Sequence, residues 1–133
     1  METVVHTPGK LKVPGLNQAF REYQERINDY KLVHADGLPS KNFNSGNYLV
    51  ALDRGGQQVT TEALADWLER KSNSVSTVRF LIGGKEGLDG EYLQNCGWKW
   101  SLGGLDLNQS IAALVVAEQL YRCFTIRSGH PYH

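Results

Sequence analysis

The chain is poor in the residues that would commit it to several common functions. It has two cysteines, Cys96 and Cys123, one methionine and four prolines. Two cysteines in 133 residues make no disulfide framework, which points to a reducing compartment with both thiols free. No apolar run approaches the ~20 residues that a membrane-spanning helix needs. The opening Met1-Glu2-Thr3 is not basic and Val4-Val5 is too short for the apolar part of a secretory leader. A cytoplasmic protein away from membranes is the expectation. Charge of neither sign is in excess, because 14 Lys plus Arg balance 14 Asp plus Glu. That argues against gripping nucleic acid with a generally basic surface and leaves room for a local basic patch. Neither G-x-G-x-x-G nor G-x-x-x-x-G-K-[ST] occurs, so a Rossmann dinucleotide site or a P-loop has little support.

What the chain does have is glycine: 14 residues, above the usual ~7%. Many of these lie in three stretches that each follow a short apolar run. They are Leu52-Asp53-Arg54-Gly55-Gly56, Ile82-Gly83-Gly84-Lys85-Glu86-Gly87 and Leu102-Gly103-Gly104-Leu105-Asp106-Leu107. Glycine lets backbone come close to a ligand and turn at positive φ. Three such loops at strand ends can wall one pocket with backbone, which suits a nucleoside cofactor better than an acid–base triad. The plainer alternative is that they are tight turns of a small α/β domain.

The length fits one domain over residues 1–133. Residues 3–6 are β-prone. The spacing of Leu16, Ala19, Phe20, Tyr23 and Ile27 predicts a helix, and 30–35 a strand. Residues 36–47, rich in Gly, Pro, Ser and Asn, read as a loop. Residues 48–52 and 78–82 read as strands buried on both faces. A helix opens at Thr60 or Thr61, a short helix covers 88–95, and a short strand 99–102. The strongest helix covers 111–124, with an apolar set at 111, 114, 115, 120, 121 and 124 and an exposed Glu118–Arg122 pair. Alternating strands and helices predict an α/β fold with a mostly parallel sheet covered by helices on both faces. In such sheets ligands sit beyond the carboxyl ends of the strands, where all three glycine stretches fall.

Taken in order, several motifs resemble one family. Gly9-Lys10-Leu11-Lys12 precedes a helix with Glu22-Tyr23 and Arg26. Then come Leu52-Asp53 with Gly56, Phe80-Leu81-Ile82-Gly83-Gly84 with Gly87-Leu88, Ala117-Glu118-Gln119-Leu120-Tyr121-Arg122, and terminal Tyr132-His133. This order is similar to the SPOUT-class methyltransferases that modify N3 of a pseudouridine in large-subunit ribosomal RNA. The resemblance implies a C-terminal trefoil knot, bound S-adenosylmethionine, a homodimer, and the ribosome or its large-subunit RNA as partner. It carries cofactor contacts onto Leu52, Gly83, Gly84, Leu102, Gly103, Gly104, Leu105, Asp106 and Leu107. Among the chain's departures from the family pattern, two are internal. A Pro-His pair and an Arg are replaced within Asn108-Gln109-Ser110-Ile111-Ala112-Ala113, and the segment after the second strand is short. These departures motivate the alternatives of a non-catalytic cofactor- or RNA-binding protein on the same fold, or a methyltransferase with a different RNA substrate.

Other candidates have two readings each. Lys10 and Lys12 are RNA-phosphate contacts or solvated charges. His130 and His133 lack the further ligands a zinc site needs, so no metal is expected. The resemblance places Tyr132 with His130 and His133 beside the acceptor base, whereas a frayed tail would do nothing. Glu118 and Arg122 are a surface i, i+4 pair or part of an interface or site. Trp98 and Trp100 read as packing residues, and Asp53 and Asp106 as turn residues that can also position a cofactor.

Overall fold

In the computed structural model, which describes residues 1–129, five parallel strands form one sheet in the order β2-β1-β4-β3-β5. The strands are β1 (Glu2–Thr7), β2 (Lys31–Asp36), β3 (Asn47–Gln57), β4 (Thr77–Ile82) and β5 (Trp98–Trp100), and the helices are α1 (Leu16–Arg26), α2 (Thr61–Ser72), α3 (Gly90–Asn95) and α4 (Gln109–Ser128). Every ladder is parallel, so all strands end at the same edge.

Alternation along the strands makes two unequal cores. Val5, Phe80 and Val50 are in register across β1, β4 and β3. They join Phe20 of α1, Leu64 and Leu68 of α2, and Ala113, Val116 and Leu120 of α4 in the large core. Each fully buried Leu, Val or Phe here contributes about 1.5–3 kcal/mol. On the opposite face a smaller apolar cluster places Leu49 and Leu81 under Tyr92 of α3, edged by Leu38, Phe43, Leu88 and Cys96. Helices flank both faces as expected, three on one and one short helix on the other.

Three sequence expectations change. The first glycine stretch is not a loop after its strand: β3 continues through it to Gln57, with a register shift against Trp100 between Leu52 and Gln57. Gly56 permits this, because a Cβ there would lie 2.6 Å from the Lys99 carbonyl carbon. The second change is at α4, which starts at Gln109 because Asn108 caps it, its side chain accepting from the Ser110 N–H at 2.8 Å. The third is the buried face of α4. It runs through Ala112, Ala113, Val116, Ala117, Leu120, Tyr121 and Cys123; of the expected set Leu120 and Tyr121 lie on it, while 111, 114, 115 and 124 do not. Alanines let the helix approach β1 and β4 closely, and the larger Ile111, Leu114 and Val115 stay at least partly uncovered.

Other features follow from burial. Trp100 is buried, and Trp98 stacks on it with centroids 5.6 Å apart, so the tryptophans pack internally. Tyr30 is buried and donates to the Leu120 carbonyl, which ties α4 to the start of β2. Both cysteines are free; burial pushes the Cys123 thiol up to about 12 and the Cys96 thiol upward.

Candidate cofactor cleft at the carboxyl edge of the sheet

The shared carboxyl edge carries a cleft of about 640 Å³, within the ~300–1,000 Å³ typical of small-molecule sites. Its lining draws Leu52 and Asp53 from β3, Gly83 and Gly84 from the turn after β4, and Leu102, Gly103, Leu105, Asp106 and Leu107 from the segment after β5. The structure therefore brings together stretches far apart in sequence. Of the residues expected around the cofactor, Gly104 alone is not in the lining. Its carbonyl instead accepts from Arg54 Nη2 at 2.8 Å.

The turn after β4 is locked by its own backbone. Gly84 and Gly87 form an antiparallel bridge, with the Gly87 N–H donating to the Gly84 carbonyl at 2.9 Å. A Cβ on Gly83 would sit 2.6 Å from the Gly87 carbonyl carbon and 2.8 Å from the Leu88 nitrogen. A Cβ on Gly84 would instead meet nothing closer than Pro8 Cγ at 3.8 Å and Gln109 Nε2 at 4.0 Å. Gly83 is required by packing, whereas Gly84 is free to present bare backbone to the cleft. A backbone cradle of this kind, which a side chain would fill, fits an extended nucleoside cofactor.

Lys10 and Lys12 also line the cleft, on the loop after β1. The Lys12 N–H donates to Ser110 Oγ at 2.9 Å, fastening this loop to the start of α4. Lys85 joins them from the turn after β4. None of these three lysines is in an ion pair among the described residues. A chain of zero net charge thus gathers Lys10, Lys12, Lys85 and Arg54 around a cleft that carries only Asp53 and Asp106 as carboxylates. Asp53, within β3 rather than in the expected turn, accepts from the Gly55 N–H at 3.2 Å, and Asp106 accepts from Arg54 Nη1 at 2.7 Å.

The divergent stretch 108–113 has structural work. Asn108 caps α4, Ser110 holds the lysine loop, and Gln109 lines the cleft where the family pattern has histidine. Ala113 is fully buried, so an arginine placed there would put an unpartnered guanidinium in the core. Sequence reasoning missed the cap, the Ser110 tether and Arg54. Asparagine before an apolar helix was an available sign of the cap; no local pattern could pair Ser110 with Lys12 or Arg54 with Asp106.

Glu118 and Arg122 are half-buried, not exposed, and pair at 2.5 Å. Below the lysine loop lies a polar network. His6 Nδ1 donates to the Gly37 carbonyl at 3.0 Å and its Nε2 accepts from Arg79 Nη1 at 3.1 Å, an assignment that follows because a carbonyl only accepts and a guanidinium only donates. Thr7 Oγ1 bonds His34 Nε2 at 2.8 Å and the Gly9 carbonyl at 2.5 Å. Burial, and for His6 the nearby Arg79 and His34 charges, hold both imidazoles below their usual 6.5. The expected catalytic residues Tyr132, His130 and His133 lie outside the described residues. Among the described residues no group of three or more His, Cys, Asp or Glu could hold a metal ion, and no helix is long and apolar enough to cross a membrane.

Residues 35–133 match a family model described as "Predicted SPOUT methyltransferase". A ribosomal RNA large subunit methyltransferase H from Hydrogenovibrio crunogenus is 35% identical over 127 residues, covering 92% of this chain and 78% of that protein. Its counterpart from Sorangium cellulosum is 35% identical over 143 aligned positions, covering 99% of each. Among solved structures, a probable methylase family protein from Haemophilus influenzae superposes with a TM-score of 0.60 at 10% identity, over 96% of this chain and 66% of that one. At that identity the likeness speaks for the fold alone.

Proposed function

The chain belongs to the SPOUT methyltransferase family, and on that footing we propose that it methylates N3 of a pseudouridine in large-subunit ribosomal RNA as a cytoplasmic homodimer. It is an S-adenosylmethionine-dependent methyltransferase acting on ribosomal RNA, and its parallel sheet with flanking helices is consistent with the trefoil-knot fold of the family. The observation that carries the reading is the gathering of the glycine-bearing segments into one cleft with lysines around it.

In this reading the whole chain acts as one domain. Leu52, Gly83, Gly84 and the segment 102–107 hold the cofactor, mostly through backbone. Bound there, the cofactor supplies a methyl group already activated on a sulfonium. The protein's own task is then to hold the acceptor nitrogen in line and keep water away, for which up to ~7–11 kcal/mol is available from proximity and orientation. Lys10 and Lys12 take phosphates of the RNA strand. Tyr132, with His130 and His133, is assigned to the acceptor base, where a ring N–H must lose its proton. Support for a second copy comes from the cleft's outer edge. Leu105 is 77% exposed, and Leu107 and Ile111 are the other exposed large apolar residues among those described. They are close in sequence, and Leu114 and Val115 extend the apolar surface along α4. A two-fold partner would cover it.

The test is transfer of labelled methyl from S-adenosylmethionine to large ribosomal subunits lacking the modification, with the labelled nucleoside identified after digestion. Incorporation into pseudouridine is expected, and deleting residues 130–133 should remove transfer while leaving cofactor binding. The replacement of the family histidine by Gln109 favours one second reading, a cofactor- and RNA-binding protein without transfer. Binding of both ligands with no incorporation would select it. Activity appearing in Gln109→His would then identify the lost group.

A further inference from the structure

We infer that Arg54 is the positioning residue of the cofactor cleft: its guanidinium, reaching from β3 to Gly104 and Asp106, sets the shape of the wall formed by residues 102–107. This rests on the cofactor site proposed above. The two bonds are 2.8 Å to the Gly104 carbonyl and 2.7 Å to the Asp106 carboxylate, spanning 50 and 52 residues of sequence. Among the described residues, no other hydrogen bond ties residues 102–107 to another element. The Gly103 bonds with Ser101 Oγ are local, at 3.1 and 3.2 Å. The Ser101 N–H that meets the Gln57 carbonyl lies just before the segment, and the Asn108 cap lies just after it.

The wall has little else to order it. Gly103 sits at φ +125, and Cβ atoms on Gly103 or Gly104 would touch nothing within 4 Å. Leu102 alone packs against the large core, and Leu105 is exposed. An ordinary surface ion pair contributes little to folding. Here one planar fork engages two acceptors on a segment with no other such tie. Its effect therefore falls on the order of the wall before binding, and so on affinity, because a site organised in advance loses less entropy when it closes on a ligand. Lysine in its place would offer a single point charge and lose the fork.

The test uses the full chain and the demethylated cofactor product, S-adenosylhomocysteine, as the calorimetric probe. Arg54→Ala should weaken binding about tenfold, with thermal unfolding nearly unchanged. Asp106→Ala should cost less, since the Gly104 tie remains, and the Arg54→Ala/Asp106→Ala pair should be no weaker than Arg54→Ala alone. Arg54→Lys should fall between wild type and Arg54→Ala. Added salt should weaken binding by wild type more than by Arg54→Ala. Amide exchange of residues 102–107 without ligand should quicken in Arg54→Ala and nowhere else to the same degree. A folded Arg54→Ala that binds within twofold of wild type, or exchanges at the wild-type rate in this segment, overturns the assignment and leaves the proposed function standing. A wild type that binds no cofactor overturns both.

Discussion

Residues 83–87 and residues 102–107 face the same cleft and are both glycine-rich, yet different forces hold them. The first turn is closed by its own backbone: a glycine bridge, an internal hydrogen bond, and chain segments so close that Gly83 has no room for a methyl group. The second has open space around its glycines and is fastened by a side chain from another strand. Glycine richness therefore conceals two roles. In one wall the missing side chains permit contact; in the other they permit conformation, and contact has to be supplied from outside. The first wall should answer to substitutions within itself, the second to substitution at Arg54.

The largest effect expected from this contrast is on stability. Gly83→Ala should lower unfolding free energy by about 2–3 kcal/mol, since every atom its Cβ meets is backbone. Gly104→Ala, with nothing within 4 Å, should change it by less than about 0.5 kcal/mol. Urea unfolding of the two variants decides the matter, and equal losses would break the distinction between the walls. Next comes binding. Gly84→Val should stay folded, because the first atoms around its Cβ are at 3.8 and 4.0 Å, yet lose cofactor affinity more than about tenfold by filling the cradle. A folded variant with unchanged affinity in calorimetry would show that the cofactor lies elsewhere.

A smaller effect should come from the lysine loop, which closes the cleft on a further side. Lys10→Ala/Lys12→Ala should leave cofactor affinity alone, weaken RNA binding, and reduce the salt slope of that binding by about two. An unchanged slope would remove these residues from the RNA contact. The smallest expected effect is on acid stability. His6 and His34 have lowered values in the fold, so the unfolded chain binds their protons first. Stability is then complete above the ordinary 6.5 and falls as pH drops below it toward the folded values. Protonated His6 would also face the Arg79 guanidinium as donor against donor. Thermal midpoints between pH 7.5 and 5 should decline in wild type and decline less in His6→Gln; parallel curves would remove His6 from the account.

The α/β class, the parallel strands and the places of the second and third glycine stretches were legible in the sequence, because hydrophobic patterning and turn residues mark them locally. Apolar runs bounded by Gly and Asn mark buried strands, and a threonine before Glu62 marks the cap that Thr60 makes with the Ala63 N–H at 3.1 Å. The ordered motifs led to the family and, through it, to nine expected cofactor residues, eight of which line the cleft. The extension of β3 to Gln57 was not legible, because bulging depends on how closely β5 approaches Gly56. The buried face of α4 was misjudged for a related reason. Periodicity shows where apolar residues lie, whereas close packing on β1 and β4 favours the smaller ones, so Ala112, Ala113 and Ala117 go inside and Ile111 stays out.

By itself, then, the sequence determined which segments become strands and helices, that the strands run parallel, and that glycine-lined backbone gathers at their carboxyl ends. Only the tertiary structure decided which glycine is packed and which faces the cleft, that Ser110 holds the lysine loop, and that Arg54 reaches across to Gly104 and Asp106. The physical reason is range. Propensity and periodicity act over a few residues, whereas a hydrogen bond across 52 positions exists only after the sheet has brought its ends together.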